Sequence, residues 1–317
     1  MQVTTHVTMK AAVVTRFGGP EVLHIAEIPT PTAGPGQVRV KVRAAGVMPF
    51  DTGLRAGMFP PAMTPGFPEK PAVPGNEFAG VVDEVGDGVT GFAPGAEVLG
   101  FATTGAYAEF IVIPADQLAR KPADMPWEVA AGLSGNGQGA HMALGQLAVG
   151  PGDTVLITAA AGGLGTIAVQ LAKAWGAATV IGTASERNHD YLRSLGAVPV
   201  TYGPGLVDRV RAIAPDGVDA ALDAADPEAL RDSVELTKDR GRVLTMVSDE
   251  VARELGLREW SGVRSGELLA ELADLWSKGV IALHIRGTYA LADAADAHRE
   301  IETGHGRGKV VIAVDLP

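Results

Sequence analysis

The sequence predicts a two-part α/β fold, in which an all-β unit of short strands, closing as a barrel, is interrupted by a doubly wound parallel sheet. Three observations predict it. Short apolar runs cut by Gly and Pro fill the first third of the chain. Strands then alternate with helical patterns to about residue 260. Finally, 317 residues exceed one ordinary core and suggest two domains.

Between Met9 and Lys121 the expected strands are Lys10–Thr15, Leu23–Glu27, Val38–Ala45, Gly80–Val85, Glu97–Gly100 and Ala106–Ile113. The stretch from Arg55 to Pro74 holds six prolines. Because it also carries Met58, Phe59, Met63 and Phe67, it reads as a loop over a cleft rather than a linker. From Trp127 onward the expected strands are Val155–Thr158, Thr179–Thr183, Val198–Tyr202, Ala220–Asp223 and Arg242–Val247, with helices between them. Such alternation builds a parallel sheet. In the tail, Glu267–Lys278 is helical with Leu268, Leu269, Leu272 and Leu275 on one face, Leu291–Glu302 is a second helix, and Lys309–Val314 is a β-branched strand. The tail is placed back on the β unit, so residues 1–127 and 261–317 form that unit and 128–260 the insertion. The eight residues before Met9 read as a loose extension.

The strand at Val155–Thr158 runs into Ala159-Ala-Ala-Gly-Gly-Leu-Gly165, after which Leu164, Ile167, Ala168, Leu171, Ala172 and Trp175 recur at helical spacing. A phosphate needs backbone N–H groups presented without side chains in the way, and a helix N-terminus adds unpaired donors and a favourable dipole. Gly162, Gly163 and Gly165 supply this. The dinucleotide fingerprint is G-x-G-x-x-G, and Ala160 makes it A-x-G-x-x-G here; an ordinary strand-to-helix turn has the same look, and the surrounding strand and helix favour the cofactor. At the end of the second strand of this unit, an NAD-binding protein places an acid on the ribose 2′-hydroxyl. Thr183-Ala-Ser185 has none. Ser185 and Arg187 instead offer a hydroxyl and a guanidinium suited to a 2′-phosphate, which favours NADPH. Glu186, one position into the loop, is the alternative ribose partner and would restore NAD.

Composition excludes several classes. Apolar residues make up 46% and charged ones 20%, as in a soluble globular protein, and the net charge of −11 argues against nucleic acid or an anionic membrane as partner. With no cysteine, disulfides, thiolate catalysis and cysteine-ligated metal sites are absent. The N-terminus has neither a basic nor an apolar signal region, so the expected location is cytoplasmic. The uncharged run from Thr154 to Ala172 is broken by glycines and is not read as a membrane span. Of the seven histidines, only His298 and His305 lie near each other in sequence at a spacing worth weighing, and that pair reads as a solvated face.

Phe17-Gly-Gly-Pro-Glu-Val-Leu23, Ala44-Ala-Gly-Val-Met-Pro-Phe-Asp51, Pro74-Gly-Asn-Glu-Phe-Ala-Gly80, Gly105-Ala-Tyr-Ala-Glu109, the glycine turn and Gly308-Lys-Val-Val311 follow one another along the chain. In this order they resemble the zinc-free quinone oxidoreductase branch of the medium-chain dehydrogenase/reductase superfamily, from Met9 to Val314. The resemblance implies a GroES-like β-barrel catalytic domain around a Rossmann domain, NADPH in the cleft between them, and a homodimer joined through the Rossmann sheets. It places Gly162, Gly163 and Leu164 at the pyrophosphate, and Arg187 and Tyr202 at the 2′-phosphate. Lys309 would be the basic residue near the pyrophosphate, or else a strand-edge lysine. Zinc relatives carry Cys where this chain has Met48 and His where it has Asn76, and the structural-zinc lobe is missing between Gly100 and Gly105, so no metal is expected.

The substrate side departs from the relatives. Met48 replaces an asparagine, Gly53 stands where some relatives use a tyrosine, and Ser134-Gly-Asn-Gly-Gln-Gly139 replaces a more apolar run and reads as flexible and polar. The candidate substrate contacts are Asn76, Asn136 and Gln138, with Asp51 more a turn cap than a catalytic group. Tyr107 is a family position that equally well fills the barrel wall. The expected activity is zinc-independent, NADPH-dependent reduction of quinones or α,β-unsaturated carbonyls. The alternatives are an enoyl-thioester or specialised pathway reductase, and an NADPH-binding sensor or structural protein with little turnover.

Overall fold

The computed structural model describes residues 7–67, 69–304 and 306–315. The expectation of a loose N-terminal extension falls largely on Met1–His6, and part of the histidine-pair expectation on His305, which lie outside the described residues; Val7 and Thr8 are not loose, because the Val7 carbonyl accepts from Thr30 N–H and Thr8 pairs with Pro29 in the first strand. The chain divides into two compact units, one of residues up to 135, 264–277 and 284 onward, the other of 136–263 and 278–283.

In the first unit, β1 (Thr8–Val13) pairs with β2 (His24–Pro29) as an antiparallel ribbon. β3 (Gln37–Val47) alternates buried and half-buried residues, so it serves as the spine of the larger sheet. The helix α1 (Pro49–Ala56) follows, then β4 (Glu77–Val85), β5 (Glu97–Phe101), β6 (Phe110–Pro114) and β7 (Leu118–Arg120). β3 pairs antiparallel with β4 along most of its length and with β6 over its first half. The expected strand Ala106–Ile113 changes partner midway: Tyr107 and Glu109 bond to β1, whereas Phe110 onward bonds to β3. A period-2 pattern cannot reveal such a switch, because side chains keep alternating through it.

The division between units falls inside α2 (Trp127–Gln146). The second unit is a parallel sheet of β8 (Thr154–Ile157), β9 (Thr179–Thr183), β10 (Val198–Val200), β11 (Ala220–Asp223) and β12 (Val243–Thr245), in the order β10-β9-β8-β11-β12. Its helices are α3 (Gly163–Ala174), α4 (His189–Ser194), α5 (Leu206–Arg211), α6 (Pro227–Leu236) and α7 (Asp249–Glu254). With β8 central, the chain order reverses there. This is the doubly wound arrangement, whose ligands sit beyond the carboxyl ends of the strands.

The first unit is completed by α8 (Gly266–Ser277), β13 (Ile285–Ala290), α9 (Ala294–Glu302) and β14 (Lys309–Ala313). β14 inserts between β13 and β3, and Val310 and Ile312 join Val40, Val42, Phe78 and Val98 in one core. Burial of apolar side chains of this size contributes roughly 1.5–3 kcal/mol each, which is why the tail returns to this sheet.

Candidate functional site

The turn between β8 and α3 is built for close approach. Gly162 caps α3 with no side chain, and Ala159 holds a left-handed φ of 47°. A Cβ on Gly165 would stand 2.5 Å from the carbonyl oxygen of Ala159 and 2.5 Å from Cα of Ala160. Only glycine therefore lets the helix start this near the strand. A Cβ on Gly162 would meet only the Ala159 oxygen, at 3.2 Å. The first N–H groups of α3 have no intrahelical acceptor by the geometry of any helix end, an arrangement that suits an anion.

β9 and β10 bring the expected 2′-phosphate residues to one sheet edge. Thr183 pairs with Val200, so Ser185 and Tyr202 each lie two residues beyond the last paired position. Tyr202 does not end a strand as expected, because β10 stops at Val200 and the loop begins. The guanidinium of Arg209 donates to the carbonyls of Thr201, Tyr202, Gly203 and Pro204, holding that loop in place of a ladder. Arg187 and Glu186 are exposed on the neighbouring loop, and Tyr202 is half exposed at 49%. Nearby, buried Asp223 accepts from Thr158 Oγ1 (2.8 Å) and Thr245 Oγ1 (2.7 Å), tying the ends of β8, β11 and β12 together; burial raises its carboxyl above the usual range.

In the first unit the candidate contacts are differently disposed. Asn76 Nδ2 donates to the carbonyls of Ala102 (2.8 Å) and Thr103 (3.3 Å), and Oδ1 accepts from Arg264 Nη1 (2.6 Å). Both amide protons are spent, so Asn76 has no donor left for a substrate and orients Arg264 instead. Arg264 also donates to Ala102 O (3.0 Å) and lies 4.6 Å over the Phe101 ring; burial pulls its basicity down.

Lys309 is neither a strand-edge lysine nor exposed. β14 has strands on both sides, the residue is 2% exposed, and its ammonium pairs with the fully buried Glu77 carboxylate without hydrogen-bond geometry. The other Glu77 oxygen accepts from Gly135 N–H at 2.5 Å.

The run Ser134–Gly139 is not a flexible segment. It forms the interior of α2, with Ser134 and Gln138 fully buried and Asn136 8% exposed. Glycine weakens an isolated helix by up to about 1 kcal/mol per residue, and packing overrides that here.

Asp51 caps α1, accepting from Met48 N–H at 2.8 Å, and it also accepts from Gly75 N–H at 3.2 Å and Tyr107 Oη–H at 3.2 Å. Gly75 has a φ of 107°, and a Cβ there would strike the Tyr107 ring at 2.6 Å. Burial, only partly offset by the Met48 N–H and Lys309, pushes the Asp51 carboxyl up to about 7. His298 corrects the sequence reading: it is fully buried, on the α9 stripe of Ala294, Ala297 and Ile301. That helical spacing was visible in the sequence and is the signal that finds it. Burial and the Arg55 charge push its imidazole down to about 3.

The family implies zinc at Met48 and Asn76 in other members, and the donors here do not fit it. A thioether and a fully committed amide replace the ligands, and Glu77 beside them is paired to Lys309. Among the described residues no group of three or more His, Cys, Asp or Glu could hold a metal ion. None of the helices described is long and apolar enough to cross a membrane.

The alcohol dehydrogenase GroES-like domain family matches residues 34–123, and the family described as zinc-binding dehydrogenase matches residues 195–312. The chain is 35% identical to a 2-haloacrylate reductase from a Burkholderia species, covering 95% of this chain and 98% of that protein. It is 31% identical to rat quinone oxidoreductase, covering 96% and 97%. A match of 35% identity to the polyketide synthase component PikAII of Streptomyces venezuelae spans 89% of this chain but only 8% of that protein. Among solved structures, the quinone oxidoreductase from Coxiella burnetii superposes with a TM-score of 0.85 at 33% identity, covering 97% of this chain and all of that one. Mycobacterial Rv1454c complexed with NADPH does so with a TM-score of 0.84 at 32% identity, covering 96% of this chain and all of that one.

Proposed function

Since the chain belongs to the quinone oxidoreductase branch of the medium-chain dehydrogenase/reductase superfamily, a family of oxidoreductases that use nicotinamide cofactors, we propose that it is a zinc-independent, NADPH-dependent reductase of quinones or α,β-unsaturated carbonyls. The observation that carries this reading is the β9–β10 edge. There Arg187 and Tyr202 flank loops whose strand tip bears no acid, beside a glycine turn that opens α3. Relatives are named for a quinone and for a haloacrylate, and both compounds carry electron-poor double bonds.

The nicotinamide, when bound, supplies a hydride. The chain binds and orients it: Gly163 and Leu164 present N–H donors to the pyrophosphate, Gly162, whose own N–H is taken by the Ala159 carbonyl at 2.9 Å, leaves room for its approach, and Ser185, Arg187 and Tyr202 hold the 2′-phosphate. Charge growing on the acceptor oxygen calls for fixed donors, and Asn136 and Gln138 are the proposed polar contacts. The acceptor is its own electron sink, so positioning dominates. A homodimer and a cytoplasmic location belong to the same reading, and light scattering on the purified chain tests the dimer.

Absorbance loss of NADPH, and separately of NADH, is followed on adding 1,4-benzoquinone, 9,10-phenanthrenequinone and 2-cyclohexenone. NADPH-preferring turnover is expected. Arg187→Ala is expected to cost NADPH binding about 1–3 kcal/mol while leaving NADH binding nearly unchanged. Equal losses for both cofactors would remove Arg187 from the site.

A further inference from the structure

Arg55, His298, Tyr107 and Asp51 form a buried polar column that the reductase reading does not use. Arg55 Nη1 lies 3.4 Å from His298 Nδ1, His298 Nε2 lies 3.3 Å from Tyr107 Oη, and Tyr107 Oη lies 3.2 Å from Asp51 Oδ2. A guanidinium only donates, so Nδ1 of His298 accepts and carries no proton. The neutral ring then bears its proton on Nε2 and donates to Tyr107 Oη, which leaves the Tyr107 proton for Asp51. Every bond points the same way. At the far end Arg55 is anchored by Glu302 Oε1 at 2.5 Å and by the Gly18 carbonyl at 3.0 Å.

The head of this column ties two chain segments together. Asp51 accepts the N–H of Met48, where β3 passes into α1, and that of Gly75, just before β4. We propose that Tyr107 and His298 are positioning residues, holding Asp51 in the orientation by which its carboxylate joins the segment bearing Met48 to the segment bearing Asn76 and Glu77. What those segments do rests on the reductase reading; the clamp rests on the hydrogen bonds.

The charged and titratable groups facing Asp51 are Arg55 on α1, Glu77 on β4, Lys309 on β14, Tyr107, Arg264 just before α8, and His298 with Glu302 on α9. His298 stays neutral at ordinary pH, so titration near neutrality belongs to Asp51. Above pH 7 the carboxylate accepts all three donors. Below it, a proton on Oδ2 opposes the Met48 N–H and the Tyr107 O–H that share that oxygen. Removing the Tyr107 hydroxyl takes a donor from the charged form and moves the step to higher pH, by about half to one unit.

The test is hydrogen–deuterium exchange, read by mass spectrometry on peptides spanning residues 46–52 and 73–78, with 155–165 in the other unit as control. Tyr107→Phe and His298→Leu are expected to speed exchange in the first two about tenfold at pH 8 and to leave the control unchanged. His298→Gln, whose amide N–H can replace Nε2–H, is expected to retain protection. In turnover, Tyr107→Phe raises the KM for the quinone several-fold, leaves that for NADPH unchanged and shifts the pH step upward. Unchanged protection at 46–52 and 73–78, or a uniform rise that includes 155–165, overturns the clamp. Absence of turnover with every acceptor overturns the reductase reading alone, because the exchange result does not depend on it.

Discussion

Replacing Glu77 by glutamine is expected to destabilise the β unit by about 3–5 kcal/mol, the cost of stranding a buried charge. The substitution changes almost no volume, so packing hardly contributes. What changes is that Lys309, 2% exposed and paired with Glu77, loses the carboxylate that compensates its buried ammonium. Equilibrium unfolding in urea measures the loss. The companion variant Glu77→Gln with Lys309→Met removes the stranded charge as well, and is expected to recover most of the stability, because two neutral side chains carry no such desolvation penalty. If the double variant is no more stable than the single one, the penalty lies in the Gly135 N–H contact and not in the ion pair.

The second large effect is expected at Gly165. Its φ is not left-handed, so alanine is not excluded by backbone conformation; it is excluded by space. A methyl group 2.5 Å from the Ala159 oxygen and 2.5 Å from Ala160 Cα meets backbone, which moves only if the turn opens. Overpacking of this kind typically costs about 1–3 kcal/mol, and opening the turn misaligns the N–H groups proposed to hold the pyrophosphate. Gly165→Ala is therefore expected both to lower the thermal midpoint and to weaken NADPH binding about 10–100-fold, as read by calorimetric titration. Gly162→Ala provides the contrast. With only one contact, at 3.2 Å, the protein has room for that methyl group, so its stability is expected to stay near that of the parent while the group obstructs the bound phosphate. If Gly162→Ala binds NADPH normally, the turn does not cradle the cofactor.

Much of the framework was legible because it is written in periods and in single residues. β9 and β11 occupy the ranges their apolar runs predict, and α8 begins within one residue of the predicted helix. The glycine turn opens a helix where the short apolar strand run has ended and 3.6-residue spacing begins. Beyond the middle of α2, read as flexible, the missed elements include three short ones. α1 is eight residues with a central glycine, and β7 is three residues long. β13, Ile285–Ala290, has little alternation, contains Gly287 and breaks register there, and it exists because β14 offers it an edge. Short segments of this kind take their conformation from a neighbour.

By itself the sequence determined the fold class, the doubly wound sheet with its glycine turn and the absence of an acid at the β9 tip. All of these are read from nearest neighbours, short periods or residue identity. Only the tertiary structure decided that His298 is a core residue, that Lys309 is spent on Glu77, that Asn76 serves Arg264, and that Asp51 joins two strand ends. Arg55 and His298 are 243 residues apart, and Tyr107 and His298 are 191 apart. The protonation and pairing of a buried polar group depend on which distant groups share its low-dielectric surroundings, and no local pattern encodes that.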